Sequence, residues 1–163
     1  MGIAITLQQF LEAQSVPYDV LEHKRTGCSA RTADATHVPS DCVAKGVVVR
    51  HREGYLLAIV PASRQVRLDE VGRWLGRPVG LASEEELGAL FPDCEQGAIP
   101  PIAAAYGLVG VVDTTLDDRE DIYFEGGDHL ALVHVTGREF RRLMEQVPHG
   151  QFSAPAAVHG ARS

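Results

Sequence analysis

The chain has 163 residues, 45% of them hydrophobic and 23% charged, a length and composition that fit one globular domain with a sizeable core. A formal net charge of -7 excludes a protein that coats nucleic acid by bulk neutralisation of phosphates. No run is long and apolar enough for a membrane helix, Met1-Gly2-Ile3-Ala4 lacks the basic region of a signal peptide, and Cys28, Cys42 and Cys94 form no CxxC pair, a pattern of reduced thiols in a cytoplasmic protein.

Thr6 to Gln14 reads as a first helix, with Thr6-x-x-Gln9 as a capping box and Leu7, Phe10 and Leu11 on one face. Pro17 ends it. Tyr18 to Glu22 alternates as a strand, His23 to Ser29 is a polar loop, and a short helix is expected over Thr32 to Thr36. Val43 to Val49 follows as a buried, β-branched strand. Its oddity is Lys45, on the face of Val43, Val47 and Val49 and flanked by small Ala44 and Gly46. A lysine there either opens on a polar cavity or snorkels from a strand edge, and the strand alone leaves both readings open.

Glu53-Gly54 turns the chain into Tyr55 to Val60 and so predicts a hairpin. Leu68 to Leu75 is a short amphipathic helix ended by Gly76, and Val79 to Leu81 a brief strand. Ser83-x-x-Glu86 opens a helix to about Phe91. Strands are expected at Leu108 to Val112, Ile122 to Phe124 and Leu130 to Val135. Thr136-x-x-Glu139 then starts a last helix ending near Val147. The domain is placed over 1–147, with a flexible tail over 148–163 that is poor in large apolar residues. Hairpins mixed with helices predict an α/β (α+β) domain with a mixed sheet.

Most chemical motifs are absent. There is no Walker A sequence, no GxGxxG opening a helix and no GxSxG elbow. His51-Arg52-Glu53 imitates the HxE of zinc deaminases without the PCxxC that would complete it, and the seven histidines show no ligand spacing. No metal and no cofactor are therefore expected. The acidic run over 117–121 reads as a solvated loop. Three basic clusters, Arg50-His51-Arg52, Lys24-Arg25 with Arg31, and Arg138 with Arg141-Arg142, could each contribute a local patch for a brief nucleic-acid encounter, with solvated surface charge as the commoner reading of any one. No base is placed near any of the cysteines, which read as idle thiols.

Two further features remain. Gly97-Ala98-Ile99-Pro100-Pro101 reads as an exposed loop stiffened by prolines, with several backbone N–H groups expected to be free for a ligand and a mere connection as the bland alternative. Glu125-Gly126-Gly127-Asp128-His129 is a turn that delivers a histidine to the start of a strand, where a hydrogen-bonded structural role is the bland alternative.

With Val43 to Val49, Tyr55 to Pro61, Leu81 to Leu87, Phe91 to Pro101 and Asp121 to His129 in this order, the chain resembles the YbaK/prolyl-tRNA-synthetase-associated family of aminoacyl-tRNA deacylases. The resemblance covers about Phe10 to Met144. It implies a barrel-like mixed sheet flanked by helices, with a small pocket for the aminoacyl 3′ end of a tRNA. On that pattern Lys45, Gly97 and His129 would be catalytic, and Gly46, Ala98, Ile99, Pro100, Pro101 and Gly127 would bind substrate. The implied function is a trans-editing hydrolase for translation fidelity, removing alanine first, then cysteine or serine, from tRNAPro. A transient tRNA partner and a synthetase that presents it are implied, with neither DNA nor a membrane. Two departures stand out: Gly46 replaces a polar residue of alanine-editing relatives, and Glu125-Gly126-Gly127 replaces Asn-Ala-Gly. They give weight to an alternative, a module that binds the aminoacyl end, a nucleotide or a free amino acid without hydrolysis.

Overall fold

Two apolar runs make the central hairpin. Val43–His51 (β2) and Gly54–Pro61 (β3) pair antiparallel from Ala44↔Pro61 to His51↔Gly54, with Arg52-Glu53 as the turn. β3 is buried from Leu56 onward, because core lies against both of its faces. The protein is described here by a computed structural model that covers residues 3–23 and 36–155. The polar loop and short helix expected between 24 and 35 lie outside the described residues.

Among the described residues eight further strands surround the hairpin: Asp19–Glu22 (β1), Arg64–Val66 (β4), Val79–Leu81 (β5), Val109–Asp113 (β6), Asp121–Glu125 (β7), Ala131–Thr136 (β8), His149–Gly150 (β9) and Ser153–Pro155 (β10). The large sheet runs β1-β8-β7-β2-β3-β6-β9, with β5 also on β2, while β10 pairs β4 separately. β2 with β7, β3 with β6 and β6 with β9 are parallel, and the other pairs are antiparallel. The mixed sheet expected from the sequence is therefore the one found. Alternate residues feed two cores: Ala44, Val48, Leu57 and Ile59 meet Leu7, Leu11, Phe91 and Phe140 on one side, and Val49, Leu56 and Ala58 meet Val71, Val111 and Phe152 on the other.

Four helices, Ile5–Ala13 (α1), Leu68–Leu75 (α2), Glu84–Leu90 (α3) and Gly137–Leu143 (α4), cover the sheet among the described residues. None is long and apolar enough to cross a membrane. The reciprocal capping box of α3 is present, Ser83 Oγ accepting from Glu86 N–H and Glu86 accepting from Ser83 N–H. Thr136 Oγ1 likewise accepts from Glu139 N–H at the start of α4, and Gly76 ends α2 at φ 76°. The box expected at Thr6 is not formed. α1 begins one residue earlier, and Asp93 Oδ2 accepts the Thr6 N–H at 2.9 Å, so a distant loop satisfies this terminus.

The flexible tail expected over 148–163 needs correction as far as Pro155, and residues 156–163 lie outside the described residues. From 149 the chain adds β9 and β10 to the two sheets, and Phe152 between them is buried in the second core. A single aromatic anchors a segment whose composition is otherwise that of a tail.

Candidate functional site

β2 changes neighbours in its middle. β3 accompanies it along its length, but β7 runs beside only Val43 and Ala44, and β5 only beside Val49 to His51. Burial follows this geometry: Val43, Ala44, Val48 and Val49 are buried, whereas Lys45, Gly46 and Val47 are half-buried. An opening therefore sits in the floor of the sheet where the sequence places its lysine.

The loop after α3 reaches this opening. A Cβ on Gly46 would stand 3.4 Å from Pro101 Cα and 2.9 Å from Leu57 Cδ1, so the missing side chain lets the loop backbone lie close. Gly97 takes the left-handed conformation at φ 83° that glycine adopts without strain. The loop is less exposed than the sequence suggests, since Ala98, Pro100 and Pro101 are buried. Its donors are also fewer. The prolines have no N–H, and Ala98 donates to Glu95 O at 3.1 Å. Gly97 and Ile99 keep N–H groups that meet no acceptor among the described residues.

The turn before β8 closes on the same loop. Asp128 Oδ1 accepts the N–H groups of Leu130 and Ala131, fixing an Asx turn that holds His129 at φ 62°. A non-glycine residue there carries about 1 kcal/mol of strain. His129 is 4% exposed, and its Nε2 bonds the Gln96 carbonyl. A carbonyl only accepts, so Nε2 carries the proton and Nδ1 is the basic nitrogen. That Nδ1 is buried without a hydrogen-bond partner among the described residues. Gly127, at φ 120°, accepts from Glu95 N–H at 2.6 Å, and a Cβ there would lie 3.5 Å from Cys94 Sγ.

Gly46, the Gln96–Pro101 loop, Gly127 and His129 thus come together. Lys45 is beside them along the backbone, but its side chain belongs to the alternate face with Val43 and Val47, opposite Val60. Gly46, one residue on, is what faces the loop.

Sequence reasoning missed the supports of this clasp. Asp93 accepts from Thr6 N–H, Tyr106 OH and Cys94 Sγ, and although burial raises its carboxyl, these bonds hold it below the usual range. Burial pushes the Cys94 thiol up to about 12 and the Tyr106 phenol up as well, so Cys94 stays a thiol and is no nucleophile. Thr6 lies 87 residues from Asp93 and His129 lies 33 from Gln96, and no local pattern announces either pair.

A family model described as an aminoacyl-tRNA editing domain matches residues 23–143. The chain belongs to the aminoacyl-tRNA editing domain family. Solved structures share the fold of this editing domain. A hypothetical protein of known crystal structure is 24% identical at a TM-score of 0.81, with 91% of this chain and 99% of that one covered. A candidate trans-editing enzyme for prolyl-tRNA synthetase is 22% identical at a TM-score of 0.80, with 93% and 96% covered. A candidate signal transduction protein from Marinobacter aquaeolei VT8 is 19% identical at a TM-score of 0.73, where the domain covers 92% of this chain and 30% of that one. No curated protein matches the chain.

Proposed function

We propose that this editing domain is a hydrolase acting in trans on mischarged aminoacyl-tRNA, removing a small amino acid (alanine first, then cysteine or serine) from tRNAPro. The observation that supports this most is the clasp between the Gln96–Pro101 loop and the Gly127–His129 turn, closed over Gly46 at the opening in β2. It offers the free N–H groups of Gly97 and Ile99 beside a histidine whose basic Nδ1 is unsatisfied.

An aminoacyl ester is already activated, so its hydrolysis needs a positioned water and a held carbonyl more than a protein nucleophile. Water adds to the carbonyl, the N–H groups of Gly97 and Ile99 stabilise the oxyanion, and the ester C–O bond breaks to return the ribose hydroxyl and free amino acid. The substrate's own 2′-hydroxyl partners the water, and His129 lines the amino-acid pocket and orients substrate. Lys45 starts on the other face of β2, and its long stem would carry the ammonium round the strand edge left unpaired between β7 and β5, to the terminal phosphate or the carbonyl. Ala98, Pro100 and Pro101 are packed and cannot retreat, which limits pocket size and excludes the larger cognate proline in the manner of a double sieve.

The test is deacylation of tRNAPro charged with alanine, serine, cysteine or proline by the wild type and Lys45→Ala, with folding checked by urea unfolding. Release of one small amino acid, proline spared, and a fall of about 10²-fold or more in the variant is expected. An unchanged rate removes Lys45 from the mechanism. The buried Glu125 favours the second reading, binding without turnover, which requires retention of charged tRNA with no release.

A further inference from the structure

The tip of the central hairpin carries cations that the deacylation site does not use. Arg50, His51, Arg52, Glu53, Tyr55 and the Pro78–Gly80 segment line an open cavity of about 700 Å³, with the Glu53 carboxylate neutralised by Arg77. Its floor includes glycine backbone: a Cβ at Gly54 or Gly80 would meet nothing within 4 Å, so a bulky group can approach the chain directly.

Arg50 is loosely ion-paired and Arg52 is not paired with a carboxylate among the described residues. The Arg50 side chain is 59% exposed, and its guanidinium lies 3.7 Å from Glu86, too far for a hydrogen bond. That carboxylate is already held by Ser83 N–H at 2.7 Å and Tyr55 OH at 2.6 Å. Arg52 is exposed and has no acidic partner among the described residues. Several other basic groups among the described residues are occupied. Arg77 holds Glu53 at 2.7 Å, Arg141 donates to Asp117 O, and Arg142 binds Glu139 and the carbonyls of Gln14 and Ser15. Arg141 and Arg142 therefore fasten α4 to its neighbours, whereas Arg50-His51-Arg52 faces outward.

Position adds to charge. Gly46, Val48 and Arg50 share one face of β2, so Arg50 lies roughly 13 Å from Gly46 at 3.3 Å per residue. That span is about four stacked nucleotides at 3.4 Å per step. We infer that the hairpin cavity seats the phosphodiester backbone of an RNA acceptor stem, with Arg50 and Arg52 gripping phosphates a few nucleotides from the aminoacyl end. The choice of polyanion rests on the deacylase reading above. Guanidinium groups suit this task because their forked donors match phosphate oxygens. Exposed Glu84 and Glu85, at the start of α3, bound the basic surface on one side and would repel the strand from there. Such contacts position the RNA and carry no sequence preference.

The experiment uses the double variant Arg50→Gln with Arg52→Gln, its folding checked by urea unfolding. Binding of a labelled, uncharged tRNAPro acceptor-stem hairpin is followed by anisotropy from 50 to 200 mM salt. Deacylation of alanyl-tRNAPro is measured beside that of alanyl-adenosine, which has no upstream phosphates. The expected results are a slope of log affinity against log salt flatter by about 1.4 to 1.8, and a KM for charged tRNA raised about tenfold with kcat kept. Alanyl-adenosine turnover should be unchanged. An unaltered salt slope and KM, or an equal loss on alanyl-adenosine, overturns the inference. If the wild type hydrolyses neither substrate, the deacylase reading fails by itself, and the binding arm alone decides whether the cavity holds RNA.

Discussion

Gly46 and Gly137 are alike in sequence and unlike in surroundings. A Cβ at Gly46 would meet the tip of Leu57, 2.9 Å away, a flexible but fully buried side chain. Gly46→Ala should cost about 1–2 kcal/mol and press the Pro101 loop outward, lowering deacylation as well. At Gly137 the same atom would fall 1.8 Å from the Arg119 carbonyl oxygen, and that is backbone. Alanine in a helix ordinarily gains up to about 1 kcal/mol over glycine. Here the sign reverses, because Gly137 N–H is also fixed to Glu120 O at 2.7 Å, and a loss of about 3 kcal/mol or more is expected. Urea unfolding of both variants checks the order; equal small losses would mean that the Arg119 loop yields easily. This residue scale is where sequence reading reaches least far. Lys45 is conspicuous because a charge interrupts an apolar run, but only the neighbours of β2 show that Gly46 faces the loop.

Elements were more legible where their signals are local. Ser83 and Thr136 cap helices within three residues of themselves, so both are readable from spacing. α1 takes its cap from Asp93, 87 residues away, and no window in the sequence contains both groups. The same distance hides His134 on β8, which bonds Asp19 of β1 through Nδ1 at 3.1 Å and Asp121 of β7 through Nε2 at 2.8 Å, with Tyr123 against its ring. Two carboxylates on two ring nitrogens require the imidazolium. Burial lowers the His134 pKa, but the bonds to Asp121 and Asp19 outweigh it and raise the pKa above its ordinary value near 6.5. A raised folded pKa stabilises fully below the unfolded value and ceases to do so as pH rises through the folded one. The stability difference between wild type and His134→Gln should therefore be largest at the acid end of the range, below about pH 6.5, and shrink as pH rises, with salt reducing it because both aspartates are exposed. Urea midpoints across pH 5.5 to 8.5 test this. A constant difference would show that His134 acts by packing on Tyr123 alone.

For the whole molecule, the order of segments foretold a mixed sheet, while closure of the chain depends on a segment that composition marks as a tail. Phe152 fills the second core against Val71 and Val111 and meets Trp74 edge-on at 6.0 Å. Its backbone is tied on both sides: Arg67 N–H donates to Phe152 O at 2.7 Å, and Phe152 N–H donates to the buried Asp113 at 2.9 Å. Ser153 Oγ gives Asp113 a second bond at 2.8 Å and receives one from Arg64. Burial raises the Asp113 carboxyl, but these donors and Thr115 together hold it below the usual range. Phe152→Ala should cost about 3–5 kcal/mol through the cavity alone. Ending the chain after Pro148 should cost more, since it also strips two donors from a buried carboxylate and unpairs β4 and β6. Against a domain stability of about 5–15 kcal/mol, the shortened chain should be marginal or unfolded at 37 °C. Thermal and urea unfolding of the full chain, Phe152→Ala and the truncation would rank the three. A truncation as stable as the full chain would make residues 149–163 a dispensable tail, as composition alone suggests. A truncation weaker than Phe152→Ala would make the Asp113 bonds and the β4 and β6 pairings part of what closes the fold.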